Sequence, residues 1–110
     1  MTTGELVSKL GLEVINLSDS SRDIKGVYTG DLLSWVMGKL KYGYVWVTIM
    51  NNVNIIAVAS LSDASCIILS EGTEVGDDLI DKAKNHGINI FRTQESSFEI
   101  CCELGKILNA

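Results

Sequence analysis

The sequence predicts a single α/β domain, residues 1–110, with a mostly parallel sheet and helices on both faces. Residues 66–69 and residues 88–91 are short apolar runs, and residues 75–86 between them carry a helical pattern. A strand, a helix and a strand in this order join two parallel strands through a right-handed connection. Residues 44–49, which are aromatic and β-branched almost throughout, predict a further strand buried on both sides.

The helix within this crossover is marked at both ends. Asp77 and Asp78 lie in its first turn, and Lys84 and His86 lie in its last turn. Acidic residues at the start and basic residues at the end complement the helix dipole. Gly87 follows at the position where a left-handed residue closes a helix. These signals predict that the helix ends there and that the chain re-enters the sheet at once.

The N-terminal third also alternates between helix and strand. Thr2 and Glu5 have the spacing of a capping box and predict a helix that ends at Leu10. Residues 12–17 form a predicted strand, and residues 26–28 form another after a polar loop. A DNA-binding helix-turn-helix is the alternative for the first helix, but no second helix follows it directly.

A second amphipathic helix is predicted over residues 32–40, directly after the strand at residues 26–28. Thr29 or Asp31 is placed to cap its first turn with a side-chain oxygen. The free backbone N–H groups at such a helix start can instead bind an anion, although Asp31 is itself negative. The sequence leaves both alternatives open.

The second half ends in the strongest helix signal of the chain. Residues 51–54 are rich in asparagine and predict a loop. Residues 55–61 are ambiguous between helix and strand, and their small side chains favour a short helix. Ser96 and Glu99 have capping-box spacing and predict a last helix that runs to Leu108.

Apolar side chains cover more than half of the circumference of this last helix. A helix on the outside of one small domain needs a narrower apolar stripe. The excess predicts a second apolar contact, most simply with another copy of the chain. We therefore expect a homodimer whose interface includes Phe98, Cys101, Leu104 and Leu108.

Composition and charge exclude several classes of protein. The chain has 110 residues and a formal net charge of −5, and its nine basic residues are scattered. Nucleic-acid binding needs clustered lysine and arginine, so we expect no nucleic-acid partner. No apolar run approaches the roughly 20 residues that span a bilayer, and the first residues lack signal-peptide character. The three cysteines fit reduced thiols, so we expect a cytoplasmic protein without a membrane partner.

The reactive side chains form no catalytic or metal-binding pattern. Cys101 and Cys102 are adjacent on a predicted helix, so their side chains diverge by about 100°. Cys66 lies in an apolar strand, where cysteine behaves as a small hydrophobic residue. His86 is the only histidine, which leaves no triad. Tyr44 stands where a phosphate-binding loop needs lysine. We therefore predict no catalysis, no cofactor and no metal.

One group of polar residues is expected to gather at an edge of the sheet. The loops that follow the strands of a parallel sheet meet along its C-terminal edge, where ligands usually bind. Here these loops are small, polar and rich in hydroxyl groups, which suits binding better than bond breaking. The candidate ligand-binding residues are Thr29, Gly30, Asp31, Thr48, Asn51, Asn52, Ser70, Glu71, Gly72, Thr93 and Ser96.

Four stretches of the sequence together resemble the DRTGG domain family, and the resemblance covers nearly the whole chain. They are residues 26–37, 48–54, 66–72 and 83–93. The second half also resembles the N-terminal domain of HPr kinase/phosphorylase, which lacks the catalytic P-loop. The resemblance implies an α/β fold akin to the N-terminal domains of Mur ligases. It also implies a regulatory or ligand-sensing module of the kind found beside CBS domains or inside phosphate acetyltransferases.

The chain departs from the family pattern at two places. The Asp-Arg of the family name falls at Met50 and Asn51, and the Thr-Gly-Gly falls at Ser70, Glu71 and Gly72. The missing arginine and the added carboxylate of Glu71 weaken any case for an anionic ligand inherited from the family.

Three hypotheses describe what such a domain does. The first is a stand-alone, non-catalytic regulatory domain that binds a small molecule at the C-terminal edge of the sheet. The second is a protein-interaction subunit of a signalling or metabolic enzyme, such as a kinase, without a small-molecule ligand. The third is a kinase accessory or a thiol enzyme that uses Cys101, Cys102 or His86. The residues favour the first hypothesis.

Overall fold

One five-stranded sheet organises the computed structural model, which describes residues 1–109. The strands are β1 (Glu13–Asn16), β2 (Gly26–Thr29), β3 (Tyr44–Thr48), β4 (Cys66–Leu69) and β5 (Ile90–Arg92). Their spatial order is β1-β5-β4-β3-β2. Strands β2, β3, β4 and β5 pair in parallel, and β1 pairs antiparallel with β5 at one edge of the sheet. The predicted mostly parallel sheet is therefore confirmed.

Helices cover both faces of this sheet, as predicted. They are α1 (Thr3–Leu10), α2 (Leu33–Lys39), α3 (Asn54–Ser62), α4 (Asp77–His86) and α5 (Ser97–Asn109). Helices α2, α3 and α4 pack on one face, and α1 and α5 pack on the other. Among residues 1–109, none of these helices combines the length and the apolar character that a bilayer span requires.

Strand β3 separates the two hydrophobic cores. Trp46 points to the α2–α3–α4 face, whereas Val45 and Val47 point to the α1–α5 face, and all three are fully buried. Successive side chains of a strand alternate between faces, so an internal strand with helices on both sides must be apolar almost throughout. The predicted burial of this strand on both sides is confirmed.

Two capping boxes fix the first and last helices where the sequence places them. Thr2 Oγ1 accepts the Glu5 N–H at 3.2 Å, and Glu5 Oε1 accepts the Thr2 N–H at 3.1 Å. Ser96 Oγ and Glu99 Oε1 form the same reciprocal pair before α5, with both bonds at 3.1 Å. The backbone N–H of each cap stabilises the charged carboxylate and lowers the pKa of Glu5 and of Glu99.

The start of α2 differs from its prediction. The N-cap is Leu32, which makes no side-chain cap bond. Asp31 instead turns its carboxylate to the end of β3, where two donors bind it. The predicted cap at Thr29 or Asp31 is therefore wrong. Because a carboxylate already lies beside this short helix, its start is also a poor place for an anion.

The opposite end of the sheet is closed by one buried amide. Asn89 is 3% exposed, and its Oδ1 accepts the N–H groups of Ser18 and Asp19 at 2.8 and 3.0 Å. Its Nδ2 donates to the carbonyls of Asp19 and Ser65 at 2.7 and 3.1 Å. These four bonds satisfy the amide completely and fix the polar loop of residues 17–25 against the sheet.

Candidate functional site

The loops that follow β2, β3, β4 and β5 meet at the C-terminal edge of the sheet. We call them the loop edge, defined as residues 29–31, 48–52, 70–73 and 93–96. Backbone bonds join neighbouring loops, because the Ser70 N–H donates to the Thr48 carbonyl at 3.2 Å and the Gly72 N–H donates to the Thr93 carbonyl at 2.9 Å. All of the predicted binding residues therefore lie in adjacent loops.

Asp31 holds the first two loops together. Its Oδ1 accepts the Thr48 hydroxyl at 2.8 Å and the Ile49 N–H at 3.0 Å. Thr48 Oγ1 in turn accepts the Met50 N–H at 3.1 Å. Thr48 is only 1% exposed, so its hydroxyl supports the loop from inside the protein and does not face solvent.

The residues before Asp31 are also engaged. The Gly30 N–H donates to the Val47 carbonyl at 3.2 Å, and the Gly30 carbonyl accepts the Trp46 indole N–H at 2.9 Å. Thr29 is exposed, and strand β2, which ends at Thr29, packs against α5. Helix α5 therefore borders the loop edge on the β2 side.

The two asparagines keep part of their amides free. Asn51 Nδ2 donates to the Glu74 carbonyl at 3.0 Å, and Asn52 Oδ1 accepts the Asn54 N–H at 3.0 Å at the start of α3. Both side chains are exposed. Each amide therefore has one group bound to the protein and another directed to solvent.

Ser70 and Ser97 form a hydroxyl pair that the sequence analysis missed. Ser70 is fully buried, and its Oγ lies 2.6 Å from Ser97 Oγ. The Ser70 carbonyl accepts the Thr73 hydroxyl at 2.7 Å. No sequence pattern links the two serines, because the turn after β4 and the first residue of α5 meet only in the folded chain.

Glu71 occupies the start of α5 with its own carboxylate. Its Oε2 accepts the Ser97 N–H at 3.0 Å, and its backbone N–H donates to the Glu95 carbonyl at 2.8 Å. Its φ of 62° lies in the left-handed region, which costs a residue with a side chain about 1–2 kcal/mol. A strained residue therefore holds a negative charge at a helix N-terminus, where an external anion would otherwise be favoured.

Carboxylates dominate the charge of the site. Burial, together with a hydrogen bond and repulsion from Glu103, raises the pKa of Glu95, and Glu99 adds to the repulsion. Asp31 and Glu71 carry further negative charge at neighbouring loops. The electrostatic potential of the loop edge thus disfavours anions.

Arg92 is the basic residue at this edge that the sequence analysis missed. Its Nη1 donates to the Thr73 carbonyl at 3.2 Å, and its buried Nε lies 3.2 Å from Glu13 Oε1 without the alignment of a hydrogen bond. The side chain is 25% exposed. The sequence did carry one indication of this position. An arginine at the end of a buried strand directs its guanidinium group into the loops that follow the strand.

Two of the three thiols are poorly suited to chemistry. Burial raises the pKa of the Cys66 thiol and, to a smaller extent, that of Cys101, whereas the reactive form of cysteine is the thiolate. Cys102 is exposed on the outer side of α5. Within residues 1–109, no three His, Cys, Asp or Glu side chains lie close enough together to hold a metal ion.

One of the four residues of the interface predicted on α5 lies inside the protein. Leu104 is completely buried in the core that α5 forms with α1 and the sheet. The prediction that Leu104 contacts a second copy is therefore wrong, because this side chain packs in the core of its own chain. Cys101 and Leu108 are half-buried, and Phe98 remains 77% exposed.

Three grooves lie beside the helices. One of about 360 Å³ runs between α2 and α3, and one of about 620 Å³ runs between α3 and α4. A third of about 240 Å³ separates β2 from the end of α5. Leu33 and Asn54, which line the α2–α3 groove, each lie two residues after a loop of the loop edge.

Comparison with a solved structure identifies a similar fold. The chain resembles the crystal structure of the CBS and DRTGG domains of the regulatory region of Clostridium perfringens pyrophosphatase, which is complexed with an activator, diadenosine tetraphosphate. The TM-score is 0.70 at 18% identity, and the match covers 86% of this chain and 41% of that chain. At this identity the likeness concerns the fold. The chain spans about two fifths of the length of that structure.

Sequence comparison gives the family. No curated protein sequence matches the chain. Residues 5–107 match the DRTGG domain, which is nearly the whole sequence and includes all four loops of the loop edge. The chain therefore belongs to the DRTGG domain family.

Proposed function

We propose that this DRTGG domain is a non-catalytic regulatory domain that binds a small molecule at the loop edge. The observation that carries the proposal is the bonding of Asp31, which fixes two adjacent loops while the amides of Asn51 and Asn52 stay open to solvent. A rigid polar edge of this kind suits recognition. The similar regulatory region of the pyrophosphatase, which was crystallised with a nucleotide activator, supports it.

The chemistry of the edge favours a neutral polar or cationic ligand over a polyphosphate. Asp31 and Glu71 are negative, and Glu71 already fills the start of α5. Arg92 is directed to the Thr73 carbonyl and to Glu13. We therefore propose that this chain prefers a ligand with less negative charge than the activator of the pyrophosphatase region.

Thermal unfolding with matched compounds tests this function. Adenosine, ATP, diadenosine tetraphosphate and spermidine form a series that varies charge. A ligand that binds only the folded state raises its stability by about 2.7 kcal/mol at a hundredfold excess over Kd. Asn51→Ala should reduce the shift, whereas Asn85→Ala, an exposed asparagine on α4, should leave it unchanged. Equal shifts in both variants would remove the loop edge as the site.

A second candidate function is a protein-interaction subunit without a small ligand. The exposed apolar side chains of Leu61 and Phe98 favour it, at 78% and 77% exposure. Absence of any thermal shift across a wide compound series, together with binding to a partner enzyme, would support this alternative. An enzymatic role is less favoured, because burial raises the pKa of two of the three thiols.

We further infer that a regulatory domain of this kind acts on a partner enzyme and forms a homodimer. Self-association cannot use Leu104, which is buried. The likeness to the N-terminal domain of HPr kinase/phosphorylase and the cytoplasmic location stay predictions from the sequence.

A further inference from the structure

Strand β2 is the outermost strand at one edge of the sheet, and among residues 1–109 it pairs only with β3. The Gly30 N–H, just after the strand, donates to the Val47 carbonyl of β3. Backbone groups of successive strand residues point in alternate directions, so those of Tyr28 face β3 and those of Val27 and Thr29 face outward. No group of residues 1–109 bonds these outward N–H and carbonyl groups. They are therefore available to another strand.

The other edge of the sheet is protected against such pairing. Strand β1 has an irregular register between Val14 and Asn16, and the charged Glu13 at its start pairs with Arg92. Bulges and charged side chains are usual means by which proteins block an edge strand. Strand β2 has neither, because its register with β3 is regular and its four residues are uncharged. Of the two edges, the β2 edge is thus the open one.

The charges that flank β2 indicate that the added strand is a second copy of β2. Lys25 precedes the strand and Asp31 follows it. When two copies pair antiparallel with Tyr28 at the two-fold axis, the outward groups of Val27 meet those of Thr29. In this register Lys25 of each copy comes opposite Asp31 of the other. Other registers of β2 against itself leave some of the outward groups unpaired.

Both charged groups are able to form this contact. Lys25 has no ion-pair partner within residues 1–109. Asp31 uses only Oδ1 for its bonds to Thr48 and Ile49, which leaves Oδ2 for a lysine. A generic peptide would not carry these two charges at the required positions, whereas a second copy of the chain does. Two opposite-charge pairs also offset part of the repulsion between copies with a net charge of −5.

Helix α5 presents an uncharged side at the same edge. A groove of about 240 Å³ lies between β2 and the end of α5, and Leu108 lines it. Phe98 and Cys101 have helical spacing to Leu108 and share its side of α5, and Phe98 is 77% exposed. Glu99 and Glu103 lie on the opposite side of the helix at 100° per residue. A second copy at the β2 edge thus meets apolar side chains rather than carboxylates.

We propose that two copies associate through their β2 strands, which pair antiparallel about a two-fold axis at Tyr28. The two five-stranded sheets join into one continuous sheet, and the α5 helices of the two copies lie beside each other on one face of it. This inference rests on the homodimer proposed above and names its surface. It does not depend on the ligand at the loop edge, which the thermal-shift experiment tests separately.

Cysteine cross-linking tests the register, because only a residue at the two-fold axis lies opposite its own copy. Tyr28→Cys, in a chain that also carries Cys101→Ser and Cys102→Ser, should form a disulfide-linked dimer on oxidation. The Cα atoms of such a pair lie about 4.5 Å apart, within the range of a disulfide. Tyr42→Cys in the same background is the matched control, because Tyr42 is 61% exposed but lies outside β2. It should stay monomeric in non-reducing electrophoresis.

Sedimentation velocity over a range of concentrations measures the association itself. We expect the wild-type chain to dimerise. Thr29→Pro removes one outward N–H per copy and keeps the ladder with β3, so Kd should rise about 30-fold or more. Lys25→Glu places like charges opposite each other and should raise Kd about tenfold. Lys84→Glu on α4 gives the same net charge and should leave Kd within about twofold, and circular dichroism should show all variants folded.

Each other outcome overturns the proposal. A Tyr28→Cys chain that cross-links no faster than Tyr42→Cys would remove the axis from Tyr28. An unchanged Kd in Thr29→Pro would remove β2 from the interface, and equal effects of Lys25→Glu and Lys84→Glu would exclude the ion pair with Asp31. If Thr29→Pro does not fold, the cross-link and Lys25→Glu give the answer. A wild-type chain that is monomeric at about 1 mM would refute self-association as well, while the thermal-shift experiment would still report on the ligand.

Discussion

Replacement of Glu71 by glycine tests how the chain balances backbone strain against a helix cap. Glycine adopts a positive φ without cost, so Glu71→Gly should recover about 1–2 kcal/mol at the observed φ of 62°. The substitution also removes the bond between Glu71 Oε2 and the Ser97 N–H, worth about 1 kcal/mol as a cap. The greater freedom of glycine in the unfolded chain costs a further ~0.5–1 kcal/mol. These effects nearly cancel, so the free energy of unfolding should change by less than about 1 kcal/mol.

The same substitution should change ligand preference. Removal of one negative charge about 4 Å from a bound anion is worth about 1 kcal/mol in water, which corresponds to a roughly fivefold gain in affinity. Isothermal titration with diadenosine tetraphosphate measures that gain, and urea unfolding measures stability. Glu71→Gln is the control, because it removes the charge but keeps the strained φ and an oxygen for Ser97.

Two results would refute this account of Glu71. A loss of more than about 3 kcal/mol in Glu71→Gly would mean that the carboxylate contributes far more than one cap bond. Unchanged affinity for the anion in both variants would mean that Glu71 does not oppose anions at the loop edge.

Three further predictions concern other residues of the fold. Asp31→Ala should lower the free energy of unfolding by about 2–3 kcal/mol in urea, because it leaves the buried Thr48 hydroxyl without an acceptor for its proton and the Ile49 N–H without a partner. Asp31→Asn keeps an acceptor and should cost less, and equal losses would contradict this role. Because the pKa of Glu95 is raised in the folded state, the protonated carboxyl group of Glu95 stabilises the fold below the ordinary pKa of 4.5. This stabilisation is lost as pH rises through the raised pKa. Glu103→Gln should therefore raise the Tm relative to wild type increasingly as pH rises, and a difference independent of pH would be the contrary result. Ellman's reagent should label Cys102 in the native protein and Cys66 only on unfolding, so rapid native labelling of Cys66 would contradict its burial.

The sequence predicts the elements whose signals are local. The capping box at Ser96 and Glu99 gives the start of α5, and Gly87, with a φ of 67°, closes α4 as its position indicates. Both signals depend on residues within one or two helical turns. The ambiguous residues 55–61 also belong to a helix, α3, which their small side chains favour.

The sequence could not predict the features that depend on distant contacts. Asp31 has the spacing of a helix cap, but the end of β3 offers two donors that reach it only in the folded sheet. Leu104 belongs to a stripe wider than one contact needs, yet the core that α5 forms with α1 and the sheet buries it. The exposed outer side of α3 was missed for the same reason, because periodicity cannot indicate which side of an apolar helix remains uncovered.

The loop edge was located correctly as a set of adjacent loops, but not in its detail. The parallel topology brings the C-terminal ends of β2 to β5 together. The order of predicted strands and helices along the chain is sufficient to predict this arrangement. The Ser70–Ser97 pair and Arg92 depend on side-chain directions at the ends of β4 and β5. Such contacts have no fixed spacing along a chain.

The hydrogen bonds of Asn89 mean that one part of the fold can form only late in synthesis. The loop of residues 17–25 is fixed by an amide that lies some seventy positions later, and β1 pairs only with β5. Synthesis proceeds from the N-terminus, so α1 and β1 emerge from the ribosome well before their partners. Strand β1 must therefore stay unpaired until β5 has been made. Nascent chains that stall before Ile90 should be recognised by chaperones as unfinished.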